Sequence, residues 1–278
     1  MKRLALMVAP LLIAGLMGCG GGSGSNVTGP PAVPAQWSQT SGLPGSTSVG
    51  ALTASGTTLV AGTVGGGVFR STDGGLTWTA ATTQPTNATV ASLTASGTTL
   101  LAGTIGGVFR STDGGLTWTA ATTQPTNLYV YSLTASGTTL LAGTGGGGVF
   151  RSNDGGLTWA AVITQPTNLY VLSLTASGTT LLAGTDGGGV FRSTDGGLTW
   201  TAATTQPTNL FVYSLTASGT TLLAGTLGGG VFRSTDGGLT WAALGSGRMT
   251  NLVVPSLTTS GTTLLAGTSN AGIWRYPL

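Results

Sequence analysis

The acidic side chains of this chain are few and regularly placed. All six are aspartates, and five of them stand at the same position of a repeated octet, so only Asp186 lies outside it. Carboxylates can ligate calcium or act as an acid–base pair, but calcium takes about six to eight oxygens, and glycosidases need two carboxylates about 5–10 Å apart. One carboxylate per octet meets neither requirement. Without any Glu or His, the sequence predicts no enzyme, no metal and no cofactor.

The octet Ser-x-Asp-Gly-Gly-Leu-Thr-Trp occurs at 71–78, 111–118, 152–159, 193–200 and 234–241. Each copy supplies one aspartate and one tryptophan: Asp73 and Trp78, Asp113 and Trp118, Asp154 and Trp159, Asp195 and Trp200, Asp236 and Trp241. The carboxylate can accept backbone N–H bonds in a turn, the glycines permit positive φ, and the tryptophan can bury a large apolar surface. We interpret these residues as structural.

The octets are spaced by 40, 41, 41 and 41 residues, and a fixed period in this range indicates a solenoid, a propeller or an array. Runs rich in Thr, Val, Leu and aromatics, bounded by Gly, Pro, Asn and Ser, predict four short strands per unit. Four antiparallel strands repeated radially form a β-propeller.

The two ends of the chain predict the number of blades. The ASGTTL or TSGTTL element occurs six times but the octet five times, so the sixth unit lacks its fourth strand. Residues 35–38 align with the Leu-Thr-Trp-Thr of the octets, and we expect them to supply that strand, with Trp37 as the sixth tryptophan. The predicted fold is therefore all-β: a monomeric six-bladed β-propeller of four-stranded antiparallel blades over residues 35–278, closed by an N-terminal strand.

The N-terminal region indicates export. Residues 1–18 begin with Lys2 and Arg3 and continue as an apolar run too short to span a bilayer, which predicts a signal peptide. The residues before Cys19 resemble a bacterial lipoprotein cleavage box, which implies lipidation of this single cysteine. Gly20 follows instead of the retaining Asp, which implies the outer membrane in a cell that has one. Residues 19–34, rich in Gly, Ser and Pro, are predicted to be a tether.

The octet resembles the Asp-box, or bacterial neuraminidase repeat, Ser/Thr-x-Asp-x-Gly-x-Thr-Trp/Phe, and the repeats that carry it cover nearly all of residues 35–278. In that family the boxes lie on the outer rim of the blades, away from the axial site. Sialidases of the family use a Tyr, a Glu, an Asp and an arginine cluster. This chain has no Glu, and its repeated arginines occupy one third-strand position that symmetry spreads around the ring. The resemblance is therefore to non-catalytic propellers, such as the photosystem II assembly factor and the luminal ring of sortilin, which bind polypeptides.

The repeats differ at two places, the residue before each Gly run and the start of the inner strand. Propeller geometry puts both at the mouth of the channel, on a surface that we call the loop face. Five aromatic residues there, the aromatic arc, are predicted to lie beside one carboxylate and one cation: Tyr129, Tyr131, Tyr170, Phe211 and Tyr213, with Asp186 and Arg248. The Gln and Asn of the TQPTN loops are expected to add amide donors. Such an arc could hold a sugar or an extended peptide; the alternative is packing between blades.

Charge narrows the function further. After the leader the chain has seven arginines and six aspartates, and no clustered basic face that would bind nucleic acid. We therefore predict a non-enzymatic, lipid-anchored, extracytoplasmic propeller that binds or scaffolds a protein. Two alternatives stay open: a glycan-binding or vestigial sialidase-like ring, and a purely structural surface spacer.

Overall fold

The computed structural model describes residues 39–45, 47–86, 89–245, 249 and 251–278. In this part of the chain 23 β-strands form six sheets, five of four antiparallel strands and a last one of three. No described segment is a helix long and apolar enough to cross a bilayer. The predicted all-β class and the six blades are confirmed.

Each sheet follows chain order from an inner to an outer strand. Blade one contains β1 Val49–Ser55, β2 Thr58–Thr63, β3 Val68–Ser71 and β4 Thr79–Ala80. Blade two contains β5 Val90–Ser96, β6 Thr99–Thr104, β7 Gly107–Ser111 and β8 Thr119–Ala120. Blade three contains β9 Val130–Ser136, β10 Thr139–Thr144, β11 Gly148–Ser152 and β12 Ala160–Ala161.

The remaining blades repeat this order. Blade four contains β13 Val171–Ser177, β14 Thr180–Thr185, β15 Val190–Ser193 and β16 Thr201–Ala202. Blade five contains β17 Val212–Ser218, β18 Thr221–Thr226, β19 Val231–Ser234 and β20 Ala242–Ala243. Blade six contains β21 Ser256–Ser260, β22 Thr263–Gly267 and β23 Ile273–Pro277. The outer strands have two residues each and begin after the tryptophan rather than at it.

The apolar core is divided among the interfaces between successive blades. Between blades three and four, for example, Leu141 and Val149 pack with Val171, Leu181 and Trp200. The blades approach so closely that a Cβ added to Gly143 would lie 2.6 Å from Val171 Cγ1. The repeated Ala-Gly-Thr at the end of each second strand therefore needs its glycine to let the next blade dock.

The seam between blades six and one differs from the other interfaces. Val49 and Leu52 on blade one are 41% and 37% exposed and Ile273 on blade six is 78% exposed, whereas their counterparts at the other interfaces are buried. Ser41 forms a parallel bridge with Thr77 of blade one. Thr83, at the end of blade one, forms the equivalent parallel bridge with Thr117 of blade two. Ser41 thus occupies beside blade one the position that Thr83 occupies beside blade two. The predicted closing strand at 35–38 lies outside the described residues.

The inner strands of all six blades surround one central cavity. Its volume is about 340 Å³, and each blade contributes lining residues from its first strand: Ala51, Leu93, Tyr131, Leu174, Tyr213 and Leu257 are among them. The order of the sheets therefore produces a channel, and the starts of the inner strands define its mouth.

Candidate functional site

The octet aspartates organise the turn between the third and fourth strands. The Asp195 carboxylate accepts hydrogen bonds from the backbone N–H groups of Leu198 and Thr199, both at 3.0 Å. The hydroxyls of Ser193 and Thr199 also donate to it. Partial desolvation opposes ionisation, but the hydrogen bonds from Thr199 and Ser193 outweigh it and lower the pKa of Asp195 to about 2. The carboxylate oxygens are thus engaged within the turn, and the described residues contain no cluster of groups that could hold a metal ion.

Four of the octet tryptophans lie between blades, and Trp78 packs on Ala61 and Phe69 of its own blade and on Leu43. Trp118, Trp159, Trp200 and Trp241 are at most 4% exposed and Trp78 is 8% exposed. Each indole N–H is satisfied locally, as at Trp118, where Nε1 donates to the carbonyl oxygen of Gly115 at 3.1 Å. The apolar ring can therefore be buried without an unpaired donor.

Four of the repeated arginines connect their blade to the next. Arg151 Nε donates to the carbonyl oxygen of Gly196 in the octet of blade four, at 3.0 Å. Equivalent bonds join Arg70 to Gly114, Arg110 to Gly155 and Arg192 to Gly237. These guanidinium groups are already engaged between blades, so they do not converge on a common anion site.

The loop asparagines hold the aromatic arc in place. The side chain of Asn168 accepts the N–H of Tyr170 at 2.9 Å and donates to the carbonyl oxygen of Asp186 at 2.8 Å. The same pair of bonds fixes Tyr129 through Asn127, and Phe211 through Asn209. Each asparagine therefore ties the start of an inner strand to the loop of the same blade that precedes the Gly run.

The loop glutamines are used in a different way. Gln165 accepts the N–H of Val149 at 2.7 Å and donates to its carbonyl oxygen at 2.9 Å, as another strand would. The glutamine and asparagine amides were predicted to add donors to the loop face, but both are engaged within the protein, so that prediction is wrong. The Gly residues before the third strand leave the room for this contact, since a Cβ on Gly148 would lie 2.3 Å from Gln165 Oε1.

The aromatic arc is assembled at the channel mouth. Tyr131 and Tyr213 line the central cavity from blades three and five. The Tyr131 ring lies against Gly145, where a Cβ would be 2.7 Å from Tyr131 Cε2. The other three members are more open: Tyr129, Tyr170 and Phe211 are 51%, 52% and 40% exposed.

Asp186 lies within the arc. It pairs with Phe211 in a bridge between blades four and five, and its N–H donates to the carbonyl oxygen of Tyr170 at 3.0 Å. Burial raises the pKa of the Tyr131 hydroxyl, and the charges of the nearby Tyr129, Tyr170 and Asp186 raise it further. Burial and Asp186 raise the pKa of Tyr213 as well. The structure thus brings together the five aromatic residues and Asp186, while Arg248 and Cys19 lie outside the described residues.

A second cavity of about 460 Å³ lies between blades five and six. At the interface between blades four and five, the equivalent positions surround Trp241. Here they are occupied by five residues that line the cavity: Val231, Leu244, Leu264, Ala266 and Trp274. Blade six has no octet, so this apolar space corresponds to a tryptophan position. We interpret it as part of the fold rather than as a ligand site.

Comparison with known proteins agrees with these features. The BNR/Asp-box repeat family matches residues 69–80, 109–120 and 191–202, which contain the octet turns of blades one, two and four. No curated protein sequence matches the chain.

Several solved structures share the fold. YCF48 from Cyanidioschyzon merolae has a TM-score of 0.66 at 17% identity, with 84% of this chain and 83% of that chain covered. YCF48 bound to D1 peptide has a TM-score of 0.64 at 16% identity, with 84% and 79% covered. An ancestral GH74 enzyme has a TM-score of 0.65 at 19% identity, with 82% of this chain but 36% of the enzyme covered. The chain is a six-bladed β-propeller that contains BNR/Asp-box repeats in blades one, two and four.

Proposed function

We propose that the chain is a non-enzymatic binding module whose loop face takes a polypeptide partner. The observation that carries this proposal is the aromatic arc, where Tyr129, Tyr170 and Phe211 stay 40–52% exposed although asparagines fix their backbones. Large aromatic side chains that are exposed and held in one place are typical of recognition surfaces. YCF48, which has the same fold, has been solved with a D1 peptide, so a propeller of this kind can accept a peptide.

The distribution of carboxylates supports binding over catalysis. Five of the six acidic residues are octet aspartates, engaged in their turns, and Asp186 is the sixth. A two-carboxylate glycosidase needs a second acid about 5–10 Å from the first. The sequence offers no Glu or His that could take that role beside Asp186.

We further propose that Cys19 carries a lipid and that residues 19–34 hold the ring off an extracytoplasmic membrane surface, as a scaffold would require. The support is the sequence of the leader alone. A Cys19→Ser substitution should abolish incorporation of radiolabelled palmitate and release the protein from the membrane fraction. Palmitate labelling that persists in Cys19→Ser would contradict the anchor and leave the binding role untouched.

The binding role can be tested by site-specific photocrosslinking in the native envelope. A photoreactive phenylalanine analogue at Tyr129 should capture a partner protein, whereas the same analogue at Thr119, exposed on the outer strand of blade two, should not. The capture should be lost when Tyr170 and Phe211 are both changed to alanine in a protein with an unchanged melting temperature. Capture from Thr119 alone would move the site to the rim, and no capture from either position would favour the structural spacer.

A glycan-binding ring is the second candidate, because the exposed faces of Tyr129 and Tyr170 could also stack on sugar rings. Binding of the purified protein to a glycan array, lost in the same double variant, would replace the polypeptide by a carbohydrate.

A further inference from the structure

Asp186 differs from the octet aspartates in how its carboxylate is used. Its backbone is fixed on both sides, through the N–H bond to Tyr170 and the bond that its carbonyl oxygen accepts from Asn168. Its carboxylate, by contrast, makes no hydrogen bond or ion pair with any described residue, and the side chain is partly buried. A partly buried charge without a partner is unfavourable unless a ligand compensates it.

The surroundings of Asp186 favour a positive ligand. The faces of aromatic rings carry negative electrostatic potential, and they attract a cation that lies within about 6 Å of the ring centre. Burial is the largest cause of the raised pKa of the Tyr131 and Tyr213 hydroxyls. The negative charge of Asp186 raises the pKa of both hydroxyls further. Rings and carboxylate therefore act in the same direction, repelling anions and attracting cations.

The described residues bring no basic side chain to this place. The described arginines all occupy the third strand of their blades, and four of them bond to the octet of the next blade: Arg70, Arg110, Arg151 and Arg192. The single lysine of the chain is Lys2 in the leader. Within the described part of the chain, the charge of Asp186 is not neutralised.

The central cavity, which Tyr131 and Tyr213 line although Asp186 does not, limits what can bind beside these two rings. Its volume of about 340 Å³ is at the lower end of the range of about 300–1,000 Å³ that small-ligand pockets occupy. Such a space accepts one flexible side chain from an extended segment but not a helix or a folded domain.

We propose that Asp186 and the aromatic arc form a site for an organic cation, and that its occupant is the ammonium or guanidinium group of a Lys or Arg side chain on the polypeptide partner. The inference rests on the proposed binding function and adds the chemistry of recognition to it. Tyr131 and Tyr213 bind the side chain within the channel, Tyr129, Tyr170 and Phe211 cover the segment that carries it, and Asp186 neutralises its charge.

The chain offers a direct test because it contains five tyrosines, four in the arc and Tyr276 in blade six. Full-length protein in detergent, labelled with ¹³C on its tyrosine rings, would be titrated with a blocked pentapeptide of glycines around a central lysine. We expect the ring signals of Tyr131 and Tyr213 to shift and that of Tyr276 to stay in place. A peptide with norleucine in place of the lysine keeps the aliphatic chain but lacks the charge, and it should shift none of them.

Matched variants separate charge from structure. Asp186→Asn should weaken the affinity for the lysine peptide by about tenfold, which corresponds to about 1.4 kcal/mol of binding free energy. Leu227 occupies the same position in blade five, bridged to Val253 as Asp186 is bridged to Phe211. Leu227→Asn should therefore leave the affinity unchanged.

Equal shifts with the norleucine peptide, or an unchanged affinity in Asp186→Asn, would overturn the proposal. Phosphatidylcholine vesicles that shift the tyrosine signals where the lysine peptide does not would also overturn it, because the cation would then come from a lipid headgroup. Photocrosslinking from position 129 distinguishes this failure from a failure of the proposed function. A partner captured with undiminished yield when Asp186 is changed to Asn would keep the binding module and remove the cation site.

Discussion

Arg151 in blade three donates a hydrogen bond through Nε to the carbonyl oxygen of Gly196 in blade four, at a distance of 3.0 Å. The acceptor belongs to the octet turn that Asp195 organises, so one repeated spacing links the third strand of a blade to the turn of its neighbour. This arrangement gives the repeated arginines a structural role and explains why they occur at one position per unit.

We expect Arg151→Ala to lower the free energy of unfolding by about 1 kcal/mol, because the hydrogen bonds from its charged guanidinium to Gly196 and Thr139 are lost at a partly exposed site. Arg233 is the matched control, since it is exposed and makes no hydrogen bond with the described residues. Arg233→Ala should change stability by less than about 0.5 kcal/mol. Urea titrations followed by tryptophan fluorescence measure both, and equal losses would show that the hydrogen bonds of Arg151 contribute nothing.

The octets predict how stability depends on pH. In the folded chain, hydrogen bonds from Thr240 and Ser234 hold the pKa of Asp236 well below its usual range. Although partial desolvation opposes it, hydrogen bonding lowers the pKa of Asp113, Asp154 and Asp195 to about 2. A folded pKa below the unfolded value of about 3.9 stabilises the protein above that value, and this stabilisation is lost as the pH falls through the folded pKa.

We therefore expect the melting temperature to be constant from about pH 5 to pH 8, because the chain has no His, and to fall between about pH 4 and pH 2. Replacing Asp195 by Asn should lower stability at pH 7 and make the acid decrease shallower. A melting temperature that falls equally steeply in this variant would contradict the assignment of the decrease to the octets.

The close approach of the blades predicts the effect of one methyl group. Gly143→Ala would place a Cβ 2.6 Å from Val171 Cγ1, so we expect a loss of about 1–3 kcal/mol in the free energy of unfolding. Gly137 serves as the control, because it lies in the turn of the same blade with φ of 58° and open space around its Cα. Gly137→Asn should cost less than about 1 kcal/mol, since Asn tolerates this conformation.

The cavity between blades five and six predicts the role of Trp37. If this tryptophan completes blade six, Trp37→Ala should destabilise the protein by about 3 kcal/mol, comparable to other buried Trp→Ala changes. Trp118→Ala is the reference, because Trp118 is 1% exposed at the equivalent position of blade two. A Trp37→Ala variant as stable as the unmodified protein would leave the cavity without its proposed occupant.

The sequence predicts the sheets better than the site. Octet spacing, glycine placement and the six ASGTTL or TSGTTL elements specify the blades, because each unit has its own turns and its own apolar side chains. The two hydrogen bonds by which the Asn168 side chain links Tyr170 to Asp186 could not be predicted from the repeat pattern. It depends on how a connection between blades folds back onto a neighbouring loop, and proline and asparagine in that loop are also ordinary turn residues.

Asp186 illustrates the same limit. Its position before a Gly run placed it on the loop face beside the arc, but the sequence could not show that Tyr131 and Tyr213 line the central cavity while Asp186 bonds to Tyr170 and pairs with Phe211. That relation arises from closure of the inner strands around one cavity, which involves residues 82 positions apart in the chain. The ligand-binding role of these residues stays a prediction until it is measured.

The interfaces between the first five blades are nearly interchangeable, since the same residue types recur at each. The interface of one blade therefore does not distinguish the next blade from the other blades of the series. The chain that connects two blades determines which of them pair. Folding can start at any of these interfaces and spread in both directions. Blade six departs from the pattern with Trp274 and without an octet, so the interface between blades five and six differs from the four that precede it.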